Sequence, residues 1–293
     1  MKKVTKAVIP AAGLGTRMLP IARTVCKEML PIVDRPAISY LAEEAAESGV
    51  TDLLIITNRG KGEIEDYFDY SPEYDSALRA RGKDALADEL KEAARMLNVC
   101  FIRQLEPKGL GHAVLRAKSF VGDEPFYVLY GDDIIFSDLK PVCVQLYEAY
   151  EKYGLPVCGM QRVDRELVRK YCTLDARPLG DDGRTYRIHT MIEKPTEEQI
   201  ITDFSILGRV LLTPDVFPVL ENLTPGAGGE YQLTDAMKIM SESTGFAGVD
   251  FVGQRYDMGS KLGFLKANVD RALRDPELGA EFAAWLKDKN NNL

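Results

Sequence analysis

A glycine-rich, basic loop directly follows the first apolar segment of the chain. It contains small residues and then a hydroxyl and a guanidinium group: Ala11, Ala12, Gly13, Gly15, Thr16 and Arg17. Small residues let backbone N–H groups approach an anion closely, and arginine adds a fork of donors for phosphate oxygens. Lys27 brings a second cation nearby. Because α/β proteins hold nucleotides at the carboxyl end of the first strand, the loop predicts a phosphate site. An ordinary glycine-rich turn is the alternative.

Two better-known phosphate-binding loops do not fit this sequence. The dinucleotide fingerprint G-x-G-x-x-G fails because Met18 stands where a third Gly or Ala would let helix and strand pack. The acidic residue expected after the next strand is also missing, since that segment ends in Thr57 and Asn58. No Lys-Ser or Lys-Thr pair follows the glycines, so the Walker pattern is excluded as well.

Acidic residues follow two later segments and are candidates for holding a metal ion. Asp132 and Asp133 come directly after the apolar run Phe126–Gly131, and Asp257 precedes a glycine near the end of the chain. Carboxylate oxygens that face a phosphate loop are the ligands with which Mg²⁺ bridges protein and nucleotide. A helix N-cap or a turn aspartate is the alternative at these positions.

A side-chain amide lies close in sequence to a second glycine-rich segment. Gln104 ends a predicted strand and is followed by Lys108-Gly-Leu-Gly-His112. An amide beside glycine backbone can read the edge of a base by hydrogen bonds, although a polar turn has the same composition. We expect His112 to cap the following helix rather than to contact phosphate.

An acid and a base are adjacent at Glu193 and Lys194, directly before Pro195. Neighbours on a strand face opposite ways, so both reach one ligand only if the chain bends, and the proline is consistent with a bend. Such a pair suits sugar hydroxyls and a phosphate, whereas the alternative is surface charge. Only two histidines occur in the chain, which leaves little for general-base catalysis. A reaction that needs alignment and charge neutralisation fits better.

Short apolar segments that alternate with helical patterns must position these residues. The predicted strands of the first half are Lys6–Ala11, Leu53–Thr57, Val99–Gln104 and Phe126–Gly131. Their βαβα rhythm predicts an α/β fold with a doubly wound sheet. The second half is less regular, with predicted strands at Leu155–Val163, Arg187–Glu193 and Phe204–Leu211, and helices from Gln232 and over the last thirty residues. We expect one large domain over residues 1–288, an exposed insertion at Tyr70–Gly82 and a disordered tail at 289–293.

Composition limits the class of protein. The 293 residues are 45% hydrophobic and 28% charged, which is ordinary for a globular domain. The net charge of −8 argues against nucleic-acid and anionic-membrane partners, and cations concentrated in one loop indicate a small anionic ligand. Five widely spaced cysteines support neither a zinc site nor a disulfide framework, so we expect reduced thiols in a cytoplasmic protein. No long apolar stretch indicates a signal peptide or membrane anchor.

Taken together, these motifs resemble the sugar-1-phosphate nucleotidyltransferase family, and its bacterial uridylyltransferases in particular. The resemblance covers nearly the whole chain in order: Ile9-Pro-Ala-Ala-Gly-Leu-Gly-Thr-Arg17, Lys27-Glu-Met-Leu-Pro-Ile-Val-Asp34, Arg103-Gln104, Lys108-Gly-Leu-Gly-His-Ala113, Gly131-Asp-Asp133, Glu193-Lys-Pro195, Gly229-Glu-Tyr-Gln-Leu-Thr-Asp235 and Asp257-Met-Gly-Ser-Lys-Leu-Gly263. It implies a Rossmann-like mixed sheet of the glycosyltransferase-A type. It also implies an enzyme that makes UDP-glucose and pyrophosphate from UTP and glucose 1-phosphate with Mg²⁺, as a homodimer or homotetramer.

The resemblance also implies roles for individual residues. Those expected around the uracil are Ala11, Ala12, Gly13, Gln104 and Gly109, with Glu28 nearby. Those expected on the triphosphate are Gly15, Thr16, Arg17 and Lys27, and those on Mg²⁺ are Asp132 and Asp257. The sugar site is expected to contain Asp133, Cys172, Glu193 and Lys194, the last on the sugar phosphate. Arg17, Lys27 and Lys194 would be the catalytic cations.

One departure from the family concerns the sugar site. The family's Tyr-Gly dipeptide is here Tyr171-Cys172, at a position where glycine lets backbone meet the sugar. Two alternatives therefore stay open: an enzyme that uses dTTP or another sugar 1-phosphate, and a non-catalytic nucleotide-sugar sensor with the same fold.

Overall fold

A computed structural model describes residues 1–291 and shows a mixed sheet with helices on both faces. The strands are β1 (Lys6–Pro10), β2 (Pro31–Ile32), β3 (Arg35–Pro36), β4 (Asp52–Thr57), β5 (Asn98–Arg103), β6 (Phe126–Leu129), β7 (Asp133–Phe136), β8 (Val157–Arg162), β9 (Cys172–Pro178), β10 (Thr185–Glu193), β11 (Phe204–Leu212), β12 (Phe246–Asp250) and β13 (Gln254–Asp257).

Helices connect most of these strands. They are α1 (Ala37–Glu47), α2 (Gly62–Phe68), α3 (Pro72–Arg79), α4 (Asp84–Ala93), α5 (Leu110–Leu115), α6 (Lys118–Val121), α7 (Val142–Tyr153), α8 (Arg165–Val168), α9 (Val216–Glu221), α10 (Leu233–Glu242), α11 (Lys261–Arg274) and α12 (Gly279–Asn291). Within residues 1–291, no helix combines the length and the apolar character needed to cross a membrane.

Within the described residues, nine strands form one sheet in the order β5-β4-β1-β6-β11-β8-β12-β10-β9. The pairs from β5 to β6 are parallel, as is β12 with β8, while β11 and β10 run antiparallel to both of their neighbours. The predicted doubly wound mixed sheet is therefore confirmed. Because β1 lies between β4 and β6, the loops that follow these three strands meet at one edge.

The sheet is buried on both faces, which explains the near-continuous apolar strands in the sequence. Ala7 and Ile9 of β1 pack into a core with α1 and α7, while Val8 packs into a second core with α5, α9 and α10. This alternation follows the two-residue period of a strand. The strands are thus held from both sides, and their ends form a rigid support for the loops.

Several elements differ from the sequence prediction. The insertion predicted at Tyr70–Gly82 is exposed, as expected, and it contains a helix, α3, that was not predicted. Ser71 is the N-cap of α3, and its hydroxyl accepts a hydrogen bond from Tyr74 N–H. Strands β7, β9, β12 and β13 and helix α7 were not predicted. Helix α12 continues to Asn291, so residues 289–291 are helical rather than part of a disordered tail; residues 292 and 293 lie outside the described residues.

A buried ion pair connects the sheet to the segment that follows β6. Arg209 on β11 donates to Glu44 Oε2 on α1 from Nε at 3.0 Å and from Nη2 at 2.7 Å. Its remaining nitrogen, Nη1, donates to the backbone carbonyl of Asp133 at 2.8 Å. The side chains of Arg209 and Glu44 are only 1% and 9% exposed. The pair therefore fixes the position of the segment that carries the two aspartates.

We expect Arg209→Met to lower the free energy of unfolding by about 3–5 kcal/mol, because it leaves Glu44 buried without its cation. Urea denaturation measures this change. Arg274→Met is the matched control, since the Arg274–Asp138 pair has side chains 59% and 83% exposed. Its loss should cost less than about 1 kcal/mol. Equal losses in the two variants would contradict this role for the buried pair.

Candidate active site

The phosphate loop and the segment after β6 lie side by side because β1 and β6 are parallel neighbours. The approach is close: a Cβ on Gly131 would lie 2.8 Å from the carbonyl oxygen of Pro10. Pairing of β13 with β7 brings Asp257 opposite Asp133, and Met258 N–H donates to the carbonyl of Asp132 at 2.8 Å. Distant parts of the chain thus meet at one edge of the sheet.

Two cations and two carboxylates form a cluster at this edge. Lys27 Nζ lies 2.6 Å from Asp132 Oδ2, and Arg17 Nη2 lies 3.5 Å from the same oxygen. Arg17 Nη1 also lies 3.1 Å from Asp257 Oδ2. Burial alone would raise the pKa of Asp132, but Lys27 and Arg17 outweigh it and hold that pKa below its ordinary value. Asp132 is therefore ionised at neutral pH.

The two aspartates lie close to Gly259 together with Arg17. A Cβ on Gly259 would lie 2.5 Å from Arg17 Nη2, 2.8 Å from Asp132 Oδ2 and 3.0 Å from Asp257 Oδ1, so only glycine lets these three side chains come together here. Within residues 1–291, no group of three or more His, Cys, Asp or Glu side chains suits a metal ion. Mg²⁺ prefers oxygen ligands and is usually bound by one or two carboxylates, with water and phosphate oxygens as its other ligands, and the two aspartates fit this preference.

A cavity beside the cluster is lined by most residues predicted to bind the nucleotide. Its wall includes Ala12, Gly13, Gly15, Thr16, Lys27, Gln104, Gly109 and Asp132. Gly109 has a φ of +108°, in the left-handed region that favours glycine. A Cβ at this position would lie 2.7 Å from the carbonyl oxygen of Tyr231. The backbone at Gly109 is thus packed closely against Tyr231.

Three residues predicted to lie at the nucleotide do not line this cavity. Arg17 instead lines a neighbouring cavity that shares Asp132. Ala11 is fully buried, and its carbonyl oxygen accepts a hydrogen bond from Lys61 Nζ. Glu28 is also fully buried, where its Oε2 lies 2.8 Å from Lys61 Nζ, and burial raises its pKa. Both residues therefore lie behind the wall, and they support the loop from below. The sequence alone could not show that Lys27 lines the cavity whereas Glu28 lies behind its wall, because the two residues are adjacent.

An inner cavity adjoins the first and shares Tyr130 and Asp132 with it. Its wall includes Asp133, Cys172, Glu193, Thr234 and Arg255. Glu193 Oε2 accepts a hydrogen bond from the Thr234 hydroxyl at 2.8 Å, and burial raises the pKa of Glu193. A carboxylate held in this way can accept hydrogen bonds from the hydroxyls of a small polar ligand.

Asp133 and Cys172 are both in the wall of the inner cavity, but each already has a partner. Asp133 Oδ1 accepts a hydrogen bond from Arg255 Nε at 2.8 Å, and burial raises the pKa of Asp133 to about 6. The Cys172 sulfur accepts a hydrogen bond from Ile206 N–H at 3.3 Å. Cys172 is therefore held in a fixed position in the wall of the inner cavity.

Lys194 adopts a left-handed backbone conformation, which is rare outside glycine, with φ +45°. Its N–H donates to the carbonyl of Tyr171 at 2.7 Å. The bend turns Glu193 into the inner cavity, while Lys194 lines an outer cavity together with Arg17 and Asp257. The two neighbouring residues thus line two different cavities, which share Arg17 and Asp257, and the bend occurs at Lys194 itself.

Sequence reasoning missed two aromatic residues and an arginine at this site. Tyr130 lines both cavities, and Arg255 connects Asp133 to the Tyr171 hydroxyl, to which Nη1 donates at 3.0 Å. The Arg255 guanidinium also lies 4.7 Å from the centre of the Tyr171 ring. A weak signal existed, because Tyr130 and Tyr171 directly precede Gly131 and Cys172, and Arg255 lies two positions before Asp257.

Known proteins are similar to this chain over most of its length. A family model described as nucleotidyl transferase matches residues 6–273. A UTP–glucose-1-phosphate uridylyltransferase of Bacillus subtilis (strain 168) is 46% identical over 98% of this chain and 97% of its own length.

Two solved structures are also similar. A UDP-glucose pyrophosphorylase complexed with UDP-glucose has a TM-score of 0.84 and 37% identity, over 93% of this chain and 100% of that one. A UTP-bound UGPase from Acinetobacter baumannii has a TM-score of 0.89 and 35% identity, over 97% of this chain and 98% of that one. With a family model that spans most of its length and with these relatives, the chain belongs to the nucleotidyl transferase family.

Proposed function

We propose that this chain forms UDP-glucose and pyrophosphate from UTP and glucose 1-phosphate. The observation that carries the proposal is the cluster of Arg17, Lys27, Asp132 and Asp257, which lies where the nucleotide cavity meets the inner cavity. The relatives named for UTP and UDP-glucose support this choice of substrates.

The arrangement suits an in-line attack on the α-phosphate of UTP. The nucleotide cavity would hold the uracil against Gln104 and Gly109 and the triphosphate against the glycine loop. The inner cavity would hold glucose against Glu193, and its phosphate would lie towards Lys194. An oxygen of the sugar phosphate then attacks phosphorus, and pyrophosphate leaves on the opposite side.

The charged residues act on the repulsion between two anionic substrates. Arg17 and Lys27 would offset the charge that develops on the leaving pyrophosphate, while Lys194 would hold the attacking phosphate. Asp132 and Asp257 would hold Mg²⁺, which when bound supplies further positive charge to the phosphate oxygens. Alignment and electrostatics of this kind provide the rate enhancement without a general base.

Two further properties belong to the same proposal. We expect the enzyme in the cytoplasm, where UTP is available and where its five free cysteines stay reduced. We also expect a homodimer or homotetramer, which light scattering on the purified protein would identify.

We expect Lys27→Met and Lys194→Ala each to lower turnover by about 10²–10³-fold, the usual cost of losing one preorganised charge donor. Pyrophosphate release with UTP and glucose 1-phosphate measures this. Lys118→Met is the matched control, because Lys118 pairs with Glu221 on the surface at 2.6 Å and should have wild-type turnover.

Unchanged turnover in Lys194→Ala would remove its proposed role. A wild-type protein that binds UDP-glucose in calorimetry but releases no pyrophosphate would instead be a non-catalytic sensor. Substituting dTTP or other sugar 1-phosphates in the same assay tests the alternative substrates.

We expect Asp257→Asn to raise the Mg²⁺ concentration that gives half-maximal turnover by about tenfold or more, because the ion loses one of two anionic ligands. A chelator should abolish wild-type turnover. Asp138→Asn is the control, since Asp138 pairs with Arg274 on the surface. An unchanged Mg²⁺ requirement in Asp257→Asn would contradict the assignment of this residue.

We expect Cys172→Gly to lower the selectivity for glucose 1-phosphate over bulkier sugar 1-phosphates by about tenfold, because a pocket discriminates one missing group by about 10–200-fold. The ratio of kcat/KM values for the two sugars measures this. Cys172→Ser keeps the size of the side chain and should keep the wild-type ratio. If the glycine and serine variants have the same ratio, the thiol does not shape the sugar site.

A further inference from the structure

The amide of Gln104 is held at the wall of the nucleotide cavity by two partners. Its Nε2 donates to the carbonyl oxygen of Gly109 at 3.2 Å and lies 2.9 Å from His112 Nδ1. Gln104 is only 4% exposed. Both nitrogen-bound hydrogens are therefore engaged by the protein, and Oε1 receives no hydrogen bond from residues 1–291.

The carbonyl of Gly109 determines which way the amide points. A carbonyl oxygen can only accept, so it must face the NH₂ group of Gln104 and not Oε1. This carbonyl cannot turn away easily, because Gly109 packs against Tyr231, and Tyr231 N–H donates to Lys108 O at 2.8 Å. Oε1 is thus available to a base in the cavity as an acceptor.

The same geometry determines the protonation state of His112. Since the NH₂ group donates to Nδ1, this nitrogen carries a lone pair and the ring proton is on Nε2. Burial lowers the pKa of His112, and the positive charges of Lys108 and Arg116 lower it further, against an opposing effect of Glu106. The centre of the Tyr231 ring lies 6.4 Å from the centre of the imidazole, and the two rings are tilted by 41°. His112 is therefore neutral at physiological pH.

We propose that neutral His112 is a positioning residue that determines base selectivity, by holding Gln104 with its acceptor oxygen towards the nucleotide. Uracil and thymine present N3–H, a donor, to such an oxygen. Cytosine presents an unprotonated N3, an acceptor, so its complex would place two acceptors together. This inference rests on the proposed function and adds the group that fixes its base specificity.

Protonation of His112 would remove this support. The imidazolium carries a hydrogen on Nδ1 and cannot accept from the Gln104 NH₂ group. The amide could restore one hydrogen bond only by turning Oε1 away from the cavity, which would bring Oε1 towards the Gly109 carbonyl. Because the pKa of His112 is lowered, selectivity for uracil should persist at pH 6.5, the ordinary pKa of histidine, and fall only at more acidic pH.

Calorimetric binding of UMP and CMP tests the proposal without requiring turnover. We expect the wild type to prefer UMP at pH 7.5 by about 10–100-fold, the usual discrimination from one well-placed base contact. His112→Phe removes the acceptor and should bring the ratio close to one. His112→Asn keeps an acceptor near Nδ1 but does not titrate, so it should keep the preference at pH 7.5 and at pH 5.5.

The control is His189→Asn, which changes the other histidine, on β10, and should behave as the wild type at both pH values. A wild-type UMP-to-CMP ratio in folded His112→Phe would overturn the proposal. If His112→Phe does not fold, the test is the preference for UMP at pH 5.5. A loss of this preference that also occurs in His112→Asn would then overturn the proposal. Failure of the proposed function differs from both, because the wild type would then release no pyrophosphate whatever its base preference.

Discussion

The contact between Lys27 and Asp132 is the interaction on which the rest of the site depends. It joins the phosphate loop to the end of β6, and Arg17 extends it to Asp257 on β13. Without substrate, each cation is paired with a carboxylate. If the cation were absent, that carboxylate would carry an unpaired charge at a partly buried position. The arrangement is thus stable in the free protein and still contains the charges that a triphosphate needs.

The two carboxylates and the two cations of the cluster each have two roles. In the free protein they pair with each other, whereas in the proposed complex the aspartates hold Mg²⁺ and the cations turn to phosphate. When the substrate binds, ion pairs within the protein are replaced by ion pairs with the substrate and the metal ion. The charged groups of the site are therefore already in place before the substrate binds. Because Gly259 has no Cβ, Arg17 and the two aspartates can lie close together beside it.

The parts of the site that sequence predicted follow from the geometry of parallel strands. Gly13, Arg17 and Asp132 could be placed together because the ends of adjacent parallel strands meet at one edge. The antiparallel half could not be predicted in this way. Residues 171 and 255 meet only through pairings far apart in the chain, and Arg209 and Glu44 are 165 positions apart. The bend at Lys194 depends on packing, and the sequence alone did not show at which residue the chain bends. Helix α3 depends on its N-cap, and the polar composition of this segment did not indicate a helix.

The central claim is that one cleft brings uracil, phosphates and sugar to this charge cluster. A crystal structure with UDP-glucose and Mg²⁺ tests it most directly. The account predicts uracil against Gln104, the diphosphate within contact of Arg17 and Lys27, the metal on Asp132 and Asp257, and glucose against Glu193. A sugar nucleotide bound elsewhere, or bound here with its diphosphate away from both cations, would contradict the account.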